Sequence, residues 1–127
     1  MEALLPLIQL AIAMAMIDVW LVRYERPVLA RAGNATTMSE EFRIYGLPDW
    51  FRETTRALKL SSAVLLVAGI WVGWAAIVSG ATIAILMVGA VAMHIKVGDS
   101  WYKSVPAGFF LLLSGYVTYA QVMAVGA

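Results

Sequence analysis

The charged residues of this chain are confined to about one third of its length. Of nine basic and eight acidic residues, thirteen fall between Asp18 and Lys59, and the other four are Glu2, Lys96, Asp99 and Lys103. Hydrophobic residues make up 62% of the 127 residues and charged residues 13%, whereas a soluble domain carries about a quarter charged residues. This distribution predicts an integral membrane protein with a lipid-facing exterior.

Four apolar stretches separate or flank the charged segment, and they predict an all-α bundle of four transmembrane helices in a single domain, residues 1–127. The predicted spans are 3–22, 58–78, 81–97 and 105–125, each approaching the roughly 20 residues that cross a bilayer core. The first is interpreted as a retained helix, because Glu2 replaces the basic start of a signal peptide and Asp18 interrupts the apolar run.

Two short patterns refine the predicted spans. The pair Ser79-Gly80 predicts a tight turn between the second and third spans. Gly69 and Gly73 form a GxxxG pattern, which favours close approach by another helix in lipid. If the protein works by assembling with another membrane protein, this face would be the expected contact.

The polar connection, residues 23–57, predicts a loop followed by a short amphipathic helix at the membrane interface. Pro27 and Gly33-Asn34 are typical of a loop, and Thr37 with Glu40 fits a capping box at a helix start. The helix would place Phe42 and Tyr45 on one face, with the charged residues elsewhere: Glu40, Glu41 and Arg43. Gly46 would end this helix and Pro48 would lie in the first turn of the next.

The basic residues predict the orientation in the membrane. With four spans, the first and third connections lie on the same side, and together they hold all nine Lys and Arg residues. The positive-inside rule places both connections in the cytoplasm and both termini outside. The predicted location is therefore the inner (cytoplasmic) cell membrane.

Composition also limits the chemistry. The chain has no cysteine, which excludes disulfides, thiolate metal sites and cysteine-bound iron–sulfur clusters. One histidine cannot supply bis-histidine haem ligation, and no metal site or intrinsic cofactor is predicted. Phosphate-loop and dinucleotide motifs are missing from the sequence, and the interleaving of basic and acidic residues argues against nucleic-acid binding.

His94 and Asp18 are the candidate centre of a polar site. Each lies just inside the cytoplasmic end of its predicted span, at similar depth, and an ionisable residue within a span needs a partner. An Asp18–His94 pair would orient the imidazole and leave its other nitrogen free for a proton or a ligand. In the alternative, structural interpretation, Asp18 pairs with Arg23, Arg56 or Lys59 and His94 donates to a backbone carbonyl.

Glu41 and Tyr45 on the interfacial helix are candidate second proton carriers, so the candidate catalytic residues are His94, Asp18, Glu41 and Tyr45. The candidate ligand-binding residues are His94, Asp99, Trp101 and Lys59. For Glu40, Glu41 and Tyr45 the alternative is a solvated face or a salt bridge to Arg43, and for Trp101 it is an anchor at the membrane interface.

Several motifs resemble the DoxX-like family of small four-helix membrane proteins. They are Gly33-Asn34-Ala35, the YGLPxWF run from Tyr45 to Phe51, the GAxxxHxKxxD run from Gly89 to Asp99, and Lys103-Ser104-Val105-Pro106-Ala107. The resemblance covers nearly the whole chain and implies the four-helix architecture. His94, Asp99, Glu41 and Tyr45 match recurrent positions of the family.

The resemblance implies a subunit associated with quinone-linked membrane redox chemistry, because the founding member is named as part of an oxidoreductase that passes electrons from thiosulfate to quinone. The expected partners are the lipid bilayer, a lipophilic small molecule such as a bound quinone, and other membrane or redox subunits or further copies of the chain. Two alternatives stay open. One is a standalone acid–base enzyme for a lipophilic substrate, catalysing isomerisation, epoxide opening or cyclisation, and the other is a membrane assembly protein.

Overall fold

The computed structural model describes residues 4–22, 37–99 and 101–126, and these residues are helical apart from short turns. The predicted loop at Pro27 and Gly33-Asn34, and the basic residues Arg23, Arg26 and Arg31, lie outside the described residues. The helices are α1 (Leu4–Ile17), which continues as a π-helical turn (Asp18–Val22), α2 (Met38–Tyr45), α3 (Asp49–Ala68), α4 (Gly73–Lys96) and, after a 3₁₀ turn (Trp101–Ser104), α5 (Val105–Gly126).

The four long helices pack around a shared apolar core. α1 contacts α3 and α5, α3 contacts α4, and α4 contacts α5, so that each helix has two neighbours. Fully buried side chains from all four meet inside, including Ile12, Leu66, Ile83 and Val117. Large apolar side chains also cover the outside of the bundle, as in a helix that faces lipid.

Within the part of the chain that the structure describes, three helical segments are long and apolar enough to cross a membrane. They are Leu4–Val22, Gly73–Lys96 and Trp101–Ala124, with 19, 24 and 24 residues. At about 1.5 Å per residue, each reaches roughly the 30 Å of a hydrocarbon core. The first half of α3 is charged, and its uninterrupted stretch without charged residues begins only at Leu60. The protein is therefore an integral membrane protein in which α3 differs from the other long helices.

The turn between α3 and α4 lies at residues 69–72, and the prediction of a turn at Ser79-Gly80 is wrong. Ser79 is fully buried within α4, where its hydroxyl donates to the Ala75 carbonyl at 2.6 Å. Gly80 lies where α4 meets α5: a Cβ atom there would come within 2.6 Å of Thr118 Oγ1. These small residues serve helix packing within one long helix.

The GxxxG pattern also contributes to helix packing inside the protein. α3 ends at Ala68, so Gly69 and Gly73 flank the corner and do not lie on one helix face. A Cβ atom on Gly69 would lie 2.6 Å from the backbone nitrogen of Ala76. The pattern allows α3 and α4 to meet closely at their corner, and the proposed assembly face loses its structural basis.

A buried amide side chain supports the same corner from α1. Gln9 is fully buried, and its Nε2 donates to the Leu66 carbonyl at 3.1 Å. Near the end of α3, the Ile70 N–H bonds to the Val67 carbonyl instead of to Leu66. Gln9 therefore satisfies a carbonyl that the helix end releases within the apolar interior.

We expect Gly80→Ala to destabilise the protein by about 1–3 kcal/mol, because the added methyl group overpacks the contact with Thr118. The matched control is Gly89→Ala in the same helix, where a Cβ atom meets nothing within 4 Å and where alanine gains up to about 1 kcal/mol of helix propensity. Thermal unfolding in detergent, followed by circular dichroism, measures both. An equal or higher midpoint for Gly80→Ala would contradict the close contact between α4 and α5 at this residue.

Candidate functional site

The short helix α2 begins and ends as its sequence predicts. Thr37 Oγ1 accepts a hydrogen bond from the Glu40 N–H at 3.2 Å. At the other end Gly46 has a φ of 79°, its N–H bonds to the Arg43 carbonyl, and the Leu47 N–H bonds to the Phe42 carbonyl. These two bonds form a Schellman motif. Together the two caps define an eight-residue helix that packs on both α3 and α4.

Pro48 lies immediately before α3, one position earlier than predicted. It has extended backbone geometry, and the helix begins at Asp49. The Phe51 N–H bonds to the Pro48 carbonyl at 3.1 Å. Pro48 therefore marks the junction at which the chain leaves α2 and enters α3.

The inner face of α2 is aromatic. Phe42 and Tyr45 are buried as predicted, together with Met38 and with Trp20 from the π-helical turn. The Trp20 and Phe42 rings meet edge to face with centroids 5.9 Å apart, an arrangement that aromatic pairs favour. These contacts place the inner face of α2 directly over the end of the bundle that contains His94.

Glu41 lies on this same inner face, and its predicted position away from Tyr45 is wrong. The two residues are four apart and so share one side of the helix. The Tyr45 hydroxyl donates to Glu41 Oε1 at 2.6 Å, and Glu41 is buried. A carboxylate is thus placed inside the structure, with a phenol as its hydrogen-bond donor.

The end of α4 forms a second Schellman motif, and this motif positions Asp99. Gly98 has a φ of 72°, the Gly98 N–H bonds to the Ile95 carbonyl, and the Asp99 N–H bonds to the His94 carbonyl. The reversal of the chain at Gly98 carries the Asp99 side chain back along the helix. Asp99 Oδ2 then lies 2.7 Å from His94 Nδ1.

Asp99 therefore takes the position beside His94 that the sequence assigned to Asp18. Depth in the membrane placed Asp18 level with His94, but depth does not determine which way a side chain faces. Asp18 belongs to the π-helical turn, and it lines the same cavity as His94. π turns often mark functional sites, and here three consecutive residues reach the cavity: Asp18, Val19 and Trp20.

The second nitrogen of the His94 ring faces α2. Nε2 lies 3.5 Å from the Tyr45 hydroxyl oxygen and 4.0 Å from Glu41 Oε1, and the two rings meet at 90°. His94 is only 5% exposed. The imidazole is consequently held between a carboxylate on one side and a phenol–carboxylate pair on the other.

Three lysines surround this cluster in different ways. Lys96 Nζ donates to the Tyr45 carbonyl at 2.9 Å, which ties the end of α4 to the end of α2. Lys103 Nζ lies 3.8 Å from Asp99 Oδ1. Lys59 is buried on α3, with Nζ 4.2 Å from the centre of the Trp20 ring. Cations therefore border the cluster on several sides.

The candidate ligand residue Trp101 is placed elsewhere. It is 80% exposed and does not line the cavity. This position suits the alternative interpretation of Trp101 as an anchor at the membrane interface.

A cavity of about 580 Å³ lies beneath α2. Its charged or titratable groups come from Asp18, Glu41, Lys59, His94 and Lys103, with the polar residues Tyr45 and Thr55 beside them. The remainder of its wall is largely apolar and includes Met16, Trp20, Met87, Ala90, Met93 and Phe110. A mainly apolar cavity with a few convergent polar groups is the usual form of a small-molecule site.

The hydrogen bonds of the cluster determine what His94 can do. Tyr45 uses its only proton to donate to Glu41, and an ionised Asp99 accepts from Nδ1–H. In the neutral ring Nε2 is then an acceptor that faces an oxygen with no proton to offer. In the imidazolium, Nε2–H can donate to Tyr45. His94 can therefore accept from a hydroxyl group when neutral and donate to a carbonyl when protonated.

Comparison with known proteins gives a family and a relative. The model of the DoxX-like family matches residues 27–116. A protein of Bacillus subtilis (strain 168), named uncharacterized protein YdgD, is 39% identical over 76 residues, which cover 59% of this chain and 67% of that protein. No solved structure matches. The family match includes α2, α3, α4 and the cluster around His94.

We expect neutral His94 to carry its proton on Nδ1, because Asp99 accepts from that nitrogen. NMR of isotope-labelled ring nitrogens tests this directly, since the chain has one histidine. Asp99→Asn should mix the two tautomers, whereas Asp49→Asn, which alters an exposed partner of Arg52, should leave them unchanged. A wild-type ring with its proton on Nε2 would contradict the assigned hydrogen bond.

Proposed function

Since the chain belongs to the DoxX-like family, we propose that it is a membrane subunit that binds a lipophilic molecule of the quinone type and serves quinone-linked redox chemistry. The observation that carries the proposal is the position of His94. Its ring lies at the polar end of an apolar cavity, with one nitrogen held by Asp99 and the other directed at Tyr45. The redox assignment itself follows from the family resemblance.

A quinone matches this division of the cavity. Its isoprenoid or alkyl tail would occupy the apolar part, and its ring oxygens would meet the polar end. A ligand carbonyl could accept from protonated His94, and a quinol hydroxyl could donate to the neutral ring. A site able to do both can bind the oxidised and the reduced forms of one molecule.

His94 would also exchange one of the two protons that accompany the change between quinone and quinol. When a quinol is oxidised, its two hydroxyl protons pass to bases: neutral Nε2, 3.5 Å from the Tyr45 hydroxyl, would take one, and Glu41 would take the other. Asp99 would stabilise the resulting imidazolium through Nδ1. In this scheme Asp99 and Tyr45 position the ring, and another redox subunit accepts the electrons.

The proposed membrane arrangement has four spans, with the apolar half of α3 completing the bundle. All nine basic residues then lie in the connections on one side, because residues 69–72 and both termini contain none. The positive-inside rule supports placing these connections in the cytoplasm and both termini outside, in the inner membrane. The cavity and α2 would lie at the cytoplasmic face.

A second candidate function is acid–base catalysis on a lipophilic substrate by the isolated chain. The 2.6 Å hydrogen bond between Tyr45 and Glu41, next to His94, favours it, because such a chain can transfer protons at two points of a substrate. Turnover without other subunits, with a rate that depends on pH through His94, would distinguish this candidate from the first.

We expect decylubiquinone to quench tryptophan fluorescence saturably as it binds to the purified protein in lipid nanodiscs, because Trp20, one of the five tryptophans, lines the cavity. His94→Gln and Tyr45→Phe should each weaken binding about five- to tenfold, as expected when one hydrogen bond to the ligand is lost or misdirected.

The matched control is Arg52→Gln, since Arg52 pairs with Asp49 and Glu53 outside the cavity. Unchanged affinity in His94→Gln would remove His94 from the binding site. Retention of a quinone, or of redox subunits, by the protein purified from membranes would test the wider assignment.

A further inference from the structure

Lys59 differs from the other two lysines of the chain in what surrounds its ammonium group. Lys96 has a carbonyl acceptor at 2.9 Å, and Lys103 lies 3.8 Å from a carboxylate. Lys59 is only 6% exposed. Within residues 4–22, 37–99 and 101–126 its charge contacts the Trp20 ring, at 4.2 Å, and no acceptor lies within hydrogen-bond distance.

A largely buried ammonium group that has no hydrogen-bond acceptor among the described residues is costly, because it has lost most of its water. The face of Trp20 compensates on one side only. Lys59 lines the cavity, so a ligand bound there can supply an acceptor to the remaining N–H donors. The arrangement is therefore incomplete without an acceptor inside the cavity.

The acidic groups in and beside the cavity have hydrogen-bond or charged partners other than Lys59. Glu41 accepts from the Tyr45 hydroxyl and attracts the Lys59 charge without a hydrogen bond to it, and Asp18 has an interaction of its own. Asp99 is bonded to His94 and lies near Lys103. On the α3 side of the cavity, Lys59 is thus the charged group whose hydrogen bonds are not matched within the described residues.

From this geometry we infer that Lys59 is an anion subsite, so that the cavity takes a lipophilic molecule whose headgroup carries an oxyanion. The inference rests on the proposed function, because it requires that the cavity bind a lipophilic ligand. It narrows the ligand class to an apolar body with an ionised oxygen, such as a phenolate, an ionised hydroxyquinone or a fatty carboxylate. An oxyanion of the ligand would supply a charge-assisted hydrogen-bond acceptor to the Lys59 ammonium group.

Two matched pairs of probes test the inference on the whole chain in phosphatidylcholine nanodiscs. The first pair is an undecyl hydroxynaphthoquinone, at a pH at which its hydroxyl is ionised, and the same naphthoquinone without the hydroxyl group. The second pair is dodecanoate and dodecanol. The affinities of the two naphthoquinones are measured by quenching of tryptophan fluorescence. Those of dodecanoate and dodecanol are measured by competition with a naphthoquinone.

We expect the wild-type protein to bind the anion of at least one pair about tenfold more tightly than its neutral counterpart, after correction for partition into lipid. Lys59→Met should abolish this preference, and Lys59→Arg should retain it. Arg52→Gln, which removes a cation from the same helix outside the cavity, should behave as the wild type does. The wild-type comparison alone already tests the inference if a variant fails to fold.

Each outcome separates the anion subsite from the quinone assignment. A preference for the hydroxyquinone alone supports both, and a preference for dodecanoate with no binding of either naphthoquinone supports the anion subsite while contradicting a quinone ligand. Equal or tighter binding of both neutral molecules overturns the anion subsite. If the neutral quinone still binds in that case, and His94→Gln weakens it, the proposed function stands without the role given to Lys59.

Discussion

The polar end of this bundle depends on the hydrogen bond between His94 Nδ1 and Asp99, at 2.7 Å. An imidazole buried at the end of a membrane helix requires a partner for each nitrogen, and the nearest backbone groups of α4 are already used within the helix. Asp99 meets the requirement because Gly98 reverses the chain and directs the carboxylate back to the ring. Once Nδ1 is held there, Nε2 must face α2, where Tyr45 and Glu41 lie. One turn thus determines which nitrogen is available to a ligand.

Two glycine-ended helices make the cavity possible. Gly46 ends α2 after eight residues, and Gly98 ends α4. Both have the left-handed backbone conformation that side chains with a Cβ atom disfavour. Lys96, near the second glycine, donates to the carbonyl of Tyr45, next to the first. The ends of the two helices are joined by this contact, and the aromatic face of α2 is held over the bundle. The space between α2 and the long helices is the cavity in which His94, Lys59 and the apolar lining meet.

The sequence predicts the parts of this structure that depend on local chemistry. The cap at Thr37, the end at Gly46 and the burial of Phe42 and Tyr45 follow from short patterns and are confirmed. Two features that it predicts wrongly, the turn at Ser79-Gly80 and the GxxxG face, depend on packing between distant segments, whereas the positions of Glu41 and Asp99 follow from local geometry. Ser79-Gly80 has turn composition, yet these residues lie inside α4, because α5 needs a small residue there. Similar depth along the spans predicts a pair of Asp18 and His94. The local signal for Asp99 is that it directly follows Gly98, a residue type that ends helices and reverses the chain. Lys59 was a candidate, but its unmatched donors became apparent only from the arrangement of α1, α2 and α3.

The proposed function places a lipophilic ligand in the cavity, in contact with His94 Nε2. Solid-state NMR in lipid bilayers can measure the distance between the labelled ring nitrogens of His94, the single histidine, and a carbonyl-labelled ubiquinone. We expect a distance of about 3 Å between Nε2 and one ligand oxygen. The coupling of Nε2 to the labelled carbonyl carbon should then be strong, and that of Nδ1 weaker. A bound quinone without measurable coupling to either nitrogen would contradict this contact with Nε2, as would a stronger coupling to Nδ1.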